Sequence, residues 1–288
     1  MLTTIINIDS LTKQYGDKIV LNGISFAIKR GEIFALIGTN GAGKTTAIEC
    51  MEGLRTYNGT IEIHGKIGVQ LQTASLPANI KVIEAIKLIA NWHATTIDMA
   101  LVQRLNVDLI SNKKYKELST GQKRRLHLVM AMIGDPDIIF LDEPTAGLDV
   151  EGRVALHTEI KELKKRGKTV VMSSHDMAEV EELCDRLAIL NNGEIGFIGT
   201  VYELTKRNQD KYRMHIKLSN PLETNDLLSC SYIGEHQNYQ IFETSKLEDG
   251  LYELTTLIRR QNNSMLDLKI EHTSLEQSFM DIAKGVKV

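Results

Sequence analysis

The chain has 288 residues, of which 42% are hydrophobic and 25% charged, with a net charge of −3. This composition is ordinary for a folded globular protein with room for one large domain and a small one. The slightly acidic balance disfavours nucleic acid as a partner, and three widely spaced cysteines (Cys50, Cys184 and Cys230) favour free thiols over a disulfide framework or a metal site.

Short strand-like runs precede the first glycine-rich motif. They are separated by Gly16, Gly23 and Gly31, and they predict an N-terminal antiparallel sheet that carries Tyr15. The runs are Ile5–Ile8, Ile19–Leu21 and Ile24–Ile28.

A glycine-rich loop follows, between a predicted strand and a predicted helix. Its residues are Gly38, Thr39, Asn40, Gly41, Ala42, Gly43, Lys44, Thr45 and Thr46. Glycines let the backbone turn its N–H groups inward at a helix N-terminus, where they attract phosphate. Lys44 can reach the β- and γ-phosphates, and the Thr45 hydroxyl can bind Mg²⁺. The loop therefore predicts a nucleoside triphosphate site.

From about residue 73 to residue 134 the apolar spacing becomes helical, after predicted strands at Thr60–His64 and Ile67–Leu71. Within this stretch Ser119 is a good N-cap for a helix, so the segment Leu118–Gln122 can offer a helix N-terminus to an anion. Taken alone, the segment is a capped amphipathic helix. We expect a helical insertion in an α/β core.

Strands and helices alternate again over residues 135–200. An apolar run ends in Asp142 and Glu143, and ligands gather at the carboxyl ends of buried parallel strands. Asp142 is placed to hold Mg²⁺ through water and Glu143 to polarise the attacking water. A second apolar strand ends at His175, which by itself would be an ordinary polar turn residue.

These motifs occur in the order found in the nucleotide-binding subunit of ABC transporters, and residues 4–204 resemble that family. Gln72 best matches the Q-loop glutamine, although Gln70 fits if the register differs. The other matches are Tyr15 for the aromatic that stacks on adenine, Gly38–Thr45 for Walker A, Leu118–Gln122 for the signature, Asp142 and Glu143 for the Walker B acids, Ala146–Asp149 for the D-loop, and His175 for the switch histidine.

The resemblance implies a P-loop NTPase core of the ABC-ATPase type, with ATP and Mg²⁺ as cofactors. It also implies that two subunits, either two copies or a copy and a paralogue, pack head to tail around ATP. The residues it assigns are, for catalysis, Lys44, Glu143 and His175; for Mg²⁺, Thr45, Gln72 and Asp142; and for the partner's nucleotide, Ser119, Gly121, Gln122 and Asp149.

One position departs from the family pattern. The third signature residue, usually glycine, is Thr120 here. If the backbone there needs an unusual φ or a close approach to phosphate, a β-branched residue adds strain, and the rate of hydrolysis is then affected. If it does not, the hydroxyl supplies one more contact.

The character of the chain changes after residue 205, which predicts an ATPase domain over 1–205 and an accessory domain over 206–288. The order of strands and helices there approximates a small ferredoxin-like α+β sandwich, including a short helix within Pro221–Cys230 and a final helix over Ser274–Lys284. Similar extensions occur in ATPase subunits of bacterial drug, antibiotic-resistance and ABC-2-type exporters. We expect a dimerisation or regulatory module rather than a second enzyme.

No apolar run approaches the ~20 residues needed to span a bilayer, and the N-terminus lacks the features of a signal peptide. We therefore expect an ATPase that lies at the cytoplasmic face of the membrane and drives a separate permease, with export as the direction. The rival is a soluble ABC-type ATPase that remodels a ribosome, DNA or an iron–sulfur assembly. A non-catalytic binding module is a third reading, which Glu143 and His175 disfavour.

Overall fold

The computed structural model describes residues 4–70, 76–206, 212–224, 227–272, 279, 280 and 282. The chain divides into two compact units, Met1–Thr200 and Val201–Val288. The boundary expected after residue 205 falls inside a helix of the second unit, Val201–Lys206.

The first unit contains nine strands and six α-helices in its described residues. The strands are β1 (Thr4–Tyr15), β2 (Lys18–Lys29), β3 (Ile33–Gly38), β4 (Asn58–Ile63), β5 (Ile67–Gln70), β6 (Ile138–Asp142), β7 (Thr169–Ser174), β8 (Arg186–Asn191) and β9 (Glu194–Thr200). The helices are α1 (Lys44–Met51), α2 (Val82–Trp92), α3 (Met99–Arg104), α4 (Thr120–Met132), α5 (Val150–Lys165) and α6 (Met177–Leu183).

A six-stranded sheet forms the core, in the order β5-β6-β7-β3-β8-β9. Its strands run parallel except β9, which pairs antiparallel with β8. Every residue of β3, β6 and β7 is buried, as expected for parallel strands covered on both faces. The carboxyl ends of these three neighbouring strands therefore meet at one edge of the sheet.

The N-terminal strands form a separate antiparallel sheet in the order β2-β1-β4. The prediction that Gly23 separates two strands is wrong, because β2 runs unbroken through it. The register shifts between the pairs Leu11–Ile24 and Lys13–Leu21, and Gly23 has a φ of 70°. Gly23 thus occupies a β-bulge, where a positive φ is needed.

Three α-helices, α2, α3 and α4, lie in the predicted insertion, whose residues 73–75 lie outside the described chain. The buried residues of α2 are Val82, Ala85, Ile86 and Ala90, the spacing of a helix with one apolar face. An α/β core with an antiparallel β subdomain and a helical insertion confirms the predicted fold class.

The second unit has helices α7 (Val201–Lys206) and α8 (Leu247–Arg260) and a four-stranded antiparallel sheet. Its strands are β10 (Tyr212–Leu218), β11 (Ser231–His236), β12 (Tyr239–Thr244) and β13 (Met265–His272), in the order β11-β12-β10-β13. The described residues of Pro221–Cys230 contain no helix, contrary to the prediction. The backbone there is held by the Glu253 carboxylate, which accepts hydrogen bonds from the N–H groups of Leu228, Ser229 and Cys230.

Of the predicted final helix, Phe279, Met280 and Ile282 are described, and they are helical. Across the described part of the chain, no helix has the length and apolar character that a membrane span requires.

Candidate functional site

The glycine-rich loop joins β3 to α1, and its geometry requires glycine at two positions. Gly43 caps α1 with a φ of 107°, and a Cβ there would lie 2.8 Å from Leu21 Cδ2. At Gly38 a Cβ would lie 2.6 Å from the carbonyl oxygen of Leu190. The close approach of the loop to its neighbours therefore fixes its path, and Thr39, Asn40 and Gly41 remain exposed at its tip.

Lys44 is buried under this loop. Its ammonium donates hydrogen bonds to the carbonyl oxygens of Gly38 at 2.8 Å and Thr39 at 3.2 Å. Burial lowers the pKa of Lys44, and the nearby carboxylates of Glu143 and Asp142 oppose that shift. The ammonium thus lies at the loop, within electrostatic reach of both acids.

The two acids lie at the end of β6. Asp142 is its last residue and is only 5% exposed. The Ser173 hydroxyl donates a hydrogen bond to Asp142 Oδ1 and accepts one, at 2.9 Å, from the Glu143 N–H. Glu143 itself has a φ of 46°, in the left-handed region that residues with a side chain rarely adopt.

Glu143 makes two further contacts. His175 Nδ1 lies 3.3 Å from Glu143 Oε1, and the Arg124 guanidinium donates a hydrogen bond to the Glu143 carbonyl oxygen. His175 follows β7 directly, so the predicted switch histidine and water-polarising acid are side by side. The structure therefore brings Lys44, Asp142, Glu143 and His175 together at one edge of the sheet.

The segment expected to be the signature caps α4. Ser119 Oγ accepts from the Gln122 N–H and Gln122 Oε1 accepts from the Ser119 N–H, both at 3.2 Å, which is a capping box. Thr120 begins the helix with ordinary right-handed backbone. An unusual φ, one of the two sources of strain considered for a β-branched residue at this position, is therefore absent.

The predicted D-loop lies against this cap in the same chain. A Cβ placed on Gly147, which has a φ of 75°, would lie 3.3 Å from Thr120 Cγ2, and one on Gly121 would lie 3.5 Å from Leu148 Cδ2. Asp149 is the N-cap of α5, since its Oδ1 accepts the Gly152 N–H at 2.8 Å.

The remaining predicted residues are Tyr15 and the two candidate glutamines of the Q-loop. Tyr15 ends β1 with its side chain 44% exposed, and the Lys13 ammonium is 5.0 Å from its ring centroid. Gln72 is outside the described residues. Gln70, the alternative register, is buried at the end of β5, and its Oε1 has no hydrogen-bond partner in the described structure.

Sequence patterns do not reveal two residues with direct contacts to the acids, Ser173 and Arg124. Ser173 lies in a run that is typical of an apolar strand, and Arg124 lies in a short basic run. The signal for Ser173 in the sequence is that a polar residue stands two positions before His175, the histidine that follows the strand. Its meaning depends on the order of the strands, which places β7 beside β6.

The available metal donors are oxygens, the Thr45 hydroxyl and the Asp142 carboxylate, which suit Mg²⁺. Among the described residues no group of three or more histidine, cysteine or acidic side chains could hold a metal ion by itself. A Mg²⁺ ion held by one carboxylate, one hydroxyl and the substrate phosphates fits this donor set.

A cavity of about 330 Å³ lies within the first unit, beside the helical insertion. We call it the insertion cavity, and its lining includes Leu76, Ile89, His93, His127, Met130 and Ile133. One of its two histidines is His127, whose Nε2 is 3.2 Å from the Tyr115 hydroxyl. Burial, with help from Arg124 and Lys123, lowers the pKa of His127, so it is neutral at physiological pH.

Comparison with known proteins gives a consistent result. Residues 21–146 match the family model described as ABC transporter. The chain is 39% identical over 209 residues to an uncharacterized ABC transporter ATP-binding protein of Methanocaldococcus jannaschii, covering 70% of this chain and 80% of that protein. It is 36% identical over 207 residues to the Nod factor export ATP-binding protein I of Burkholderia orbicola, covering 65% and 68%.

Among solved structures, the ATP-binding subunit of an ABC transporter superposes with a TM-score of 0.64 at 26% identity. The match covers 70% of this chain and 92% of that one.

Proposed function

Because the chain belongs to the family of ABC transporter ATP-binding proteins, which are ATPases coupled to transport, we propose that it hydrolyses ATP in a head-to-tail dimer and drives a separate membrane permease. The observation that carries the proposal is the meeting of Lys44, Asp142, Glu143 and His175 at the carboxyl ends of adjacent strands. Phosphoryl transfer to water needs mainly correct positioning of the reactants and stabilisation of the charge on the phosphoryl oxygens. The side chains at this edge of the sheet are suited to both.

The glycine-rich loop is the proposed phosphate site. Its N–H groups, with the N-terminus of α1, attract the phosphates, and the Lys44 ammonium exchanges its two carbonyl partners for phosphate oxygens. Thr45 and Asp142, with Gln72, are the proposed holders of Mg²⁺, which when bound neutralises phosphate charge. Asn40, Gly41, Ala42 and Thr46 complete the loop, and Tyr15 stacks on the adenine.

Glu143 is the proposed general base, or water-orienting group. Its carboxylate faces His175, and its backbone is held at both the N–H and the carbonyl oxygen. In this arrangement Glu143 accepts a hydrogen bond from the attacking water, and His175 supports the γ-phosphate. The charge that develops on the phosphoryl oxygens is stabilised by Lys44.

The dimer is proposed from the capped N-terminus of α4. Ser119, Gly121 and Gln122 form a helix start that suits an anion, and the D-loop that ends at Asp149 lies against it through Gly147 and Leu148. In a head-to-tail pair, each capped terminus would cover the γ-phosphate bound by the other subunit. The second subunit is another copy of this chain or a paralogue.

Export is the proposed direction, supported by the several relatives that carry the name Nod factor export ATP-binding protein I. The permease would supply the membrane pathway and hold this chain at the cytoplasmic face. Its docking surface is proposed in the helical insertion, at Leu76, which lines the insertion cavity, and at Pro77, Ile83 and Glu84. Val82 is not part of this surface, because it is only 1% exposed.

The dimer tests this proposal most simply. Glu143→Gln keeps the size of the side chain but removes its charge, so ATP should bind and remain uncleaved. Light scattering should then show a dimer with ATP and Mg²⁺ and a monomer with ADP. The double variant Glu143→Gln with Ser119→Arg, which blocks the capped terminus, should remain monomeric. A Glu143→Gln protein that stays monomeric at saturating ATP would contradict the head-to-tail arrangement.

A further inference from the structure

The Ser173 hydroxyl lies between the two acids of the site. Ser173 is fully buried and pairs in register with Asp142 on the neighbouring strand. Its Oγ donates to Asp142 Oδ1 and accepts from the Glu143 N–H at 2.9 Å. One hydroxyl therefore joins the side chain of the first acid to the backbone of the second.

Both bonds restrict groups that would otherwise be free to turn. A carboxylate at the end of a strand can rotate about its terminal torsion, and donation to Oδ1 fixes the plane of the Asp142 carboxylate. Glu143 has a φ of 46°, a conformation that persists only where surroundings hold it. Its N–H is held by Ser173, and its carbonyl oxygen by Arg124.

The adjacent serine shows that this contact is specific to position 173. The Ser174 hydroxyl donates to Glu179 Oε2 at 2.5 Å and accepts the Asp176 N–H at 3.1 Å. Its bonds tie β7 to α6 and do not reach the acids. Two consecutive buried hydroxyls thus serve opposite sides of the strand.

We propose that Ser173 is a positioning residue for ATP hydrolysis, which orients the Asp142 carboxylate and holds Glu143 in its left-handed conformation. This inference rests on the proposed function, because it assigns Ser173 to the hydrolytic roles of those two acids. Ser173 touches no reacting atom in this scheme; it acts through Asp142 and Glu143.

The test compares Ser173→Ala with a matched control on the same strand. Removing the hydroxyl should lower kcat roughly 10- to 100-fold, the scale expected when catalytic groups lose their geometry, with the KM for ATP at saturating Mg²⁺ raised only a few-fold. Ser173→Thr keeps a hydroxyl and should recover most of the lost rate. The control is Thr169→Val, which removes an equally buried hydroxyl that accepts the Gly31 N–H at 2.9 Å at the far end of β7.

A second readout does not depend on turnover. Binding of ATP to Ser173→Ala in EDTA should match the wild type, whereas the gain in affinity on adding Mg²⁺ should shrink several-fold because Asp142 is no longer oriented. Thermal melting identifies any variant that fails to fold, and Ser173→Thr then carries the comparison with the Thr169→Val control.

The outcomes separate this inference from the function on which it rests. If the wild type does not hydrolyse ATP, the proposed function is wrong and this inference falls with it. If the wild type hydrolyses ATP and Glu143→Gln does not, but Ser173→Ala keeps a normal kcat and Mg²⁺ response, this inference alone is overturned. An equal loss of kcat in Thr169→Val would also overturn it, since the effect would then be structural.

Discussion

The carboxyl edge of the six-stranded sheet and the insertion cavity lie in the same unit but use opposite chemistry. At the sheet edge, polar groups hold one another: the Ser173 hydroxyl bonds the Asp142 carboxylate and the Glu143 N–H, and His175 contacts the Glu143 carboxylate. The insertion cavity is lined mainly by apolar side chains, including Leu76, Ile89 and Met130. The difference fits the proposal that the first region carries out the chemistry and that the second receives the permease.

The two regions should therefore respond to different mutations. A charge placed at Leu76 costs the free energy of burying that charge against apolar surface once a partner covers it. We expect Leu76→Asp to abolish association with the permease and export, while the isolated subunit keeps its ATPase rate within about twofold. Co-purification with the permease and ATP turnover measure the two effects.

Leu88→Asp is the matched control for this change. Leu88 lies on α2 with 57% of its surface exposed and is outside the cavity lining. It should leave both association and turnover unchanged. If the Leu76→Asp protein associates normally with the permease, or if Leu88→Asp loses association equally, the cavity is not the docking surface. The proposed difference between the two regions would then be wrong.

A smaller effect, on the affinity for ATP, is expected when Tyr15 is substituted. Stacking of adenine on an aromatic ring contributes about 1 kcal/mol, so Tyr15→Ala should raise the Kd for ATP several-fold without lowering kcat. Tyr15→Phe keeps the ring and should bind like the wild type. Titration with a fluorescent ATP analogue measures both. Equal affinity in all three proteins would make Tyr15 a sheet residue only.

Glu52 is the C-cap of α1, and its substitution tests how a partly buried charge affects stability. Burial, followed by repulsion from Asp142 and Glu49, raises its pKa to about 7. The folded state therefore binds this proton more tightly than the unfolded state, so wild-type stability falls as the pH rises from about 4.5 to 7. Glu52→Gln should increase the free energy of unfolding at pH 8 by about 1–2 kcal/mol, with no gain at pH 4.

Denaturant unfolding at the two pH values measures this difference. The control is Glu49→Gln, because the Glu49 carboxylate is paired with Arg55 at 2.9 Å. Glu49→Gln should show no such gain at pH 8. A Glu52→Gln gain that is equal at pH 4 and pH 8 would mean that the ionised carboxylate is not the cause.

The sequence predicts well those features that depend on local pattern. The strand before Gly38, the N-cap at Ser119 and the helical character of the insertion follow from spacing and residue type, and these signals are strong over short distances. The fold class follows from their order. The predicted helix within Pro221–Cys230 is wrong because tertiary bonds to Glu253 hold this backbone instead.

The contacts that fix the acids depend on tertiary structure and could not be predicted. That Ser173 bonds Asp142 follows from the position of β7 between β6 and β3, and no local pattern specifies that order. The left-handed backbone of Glu143 is likewise imposed by its neighbours. Thr120 shows the converse: the strain considered from the sequence depends on φ, and the structure gives this residue an ordinary helical value.

The central claim is that Glu143 performs the hydrolytic step, and the rate of ATP turnover by Glu143→Gln tests it directly. Turnover is measured at saturating ATP and Mg²⁺ beside the wild type, with ATP affinity determined on both proteins. We predict that kcat falls at least about 100-fold, the scale associated with loss of a general base, while the Kd for ATP stays within about threefold. A Glu143→Gln protein that turns over ATP at the wild-type rate would contradict the account.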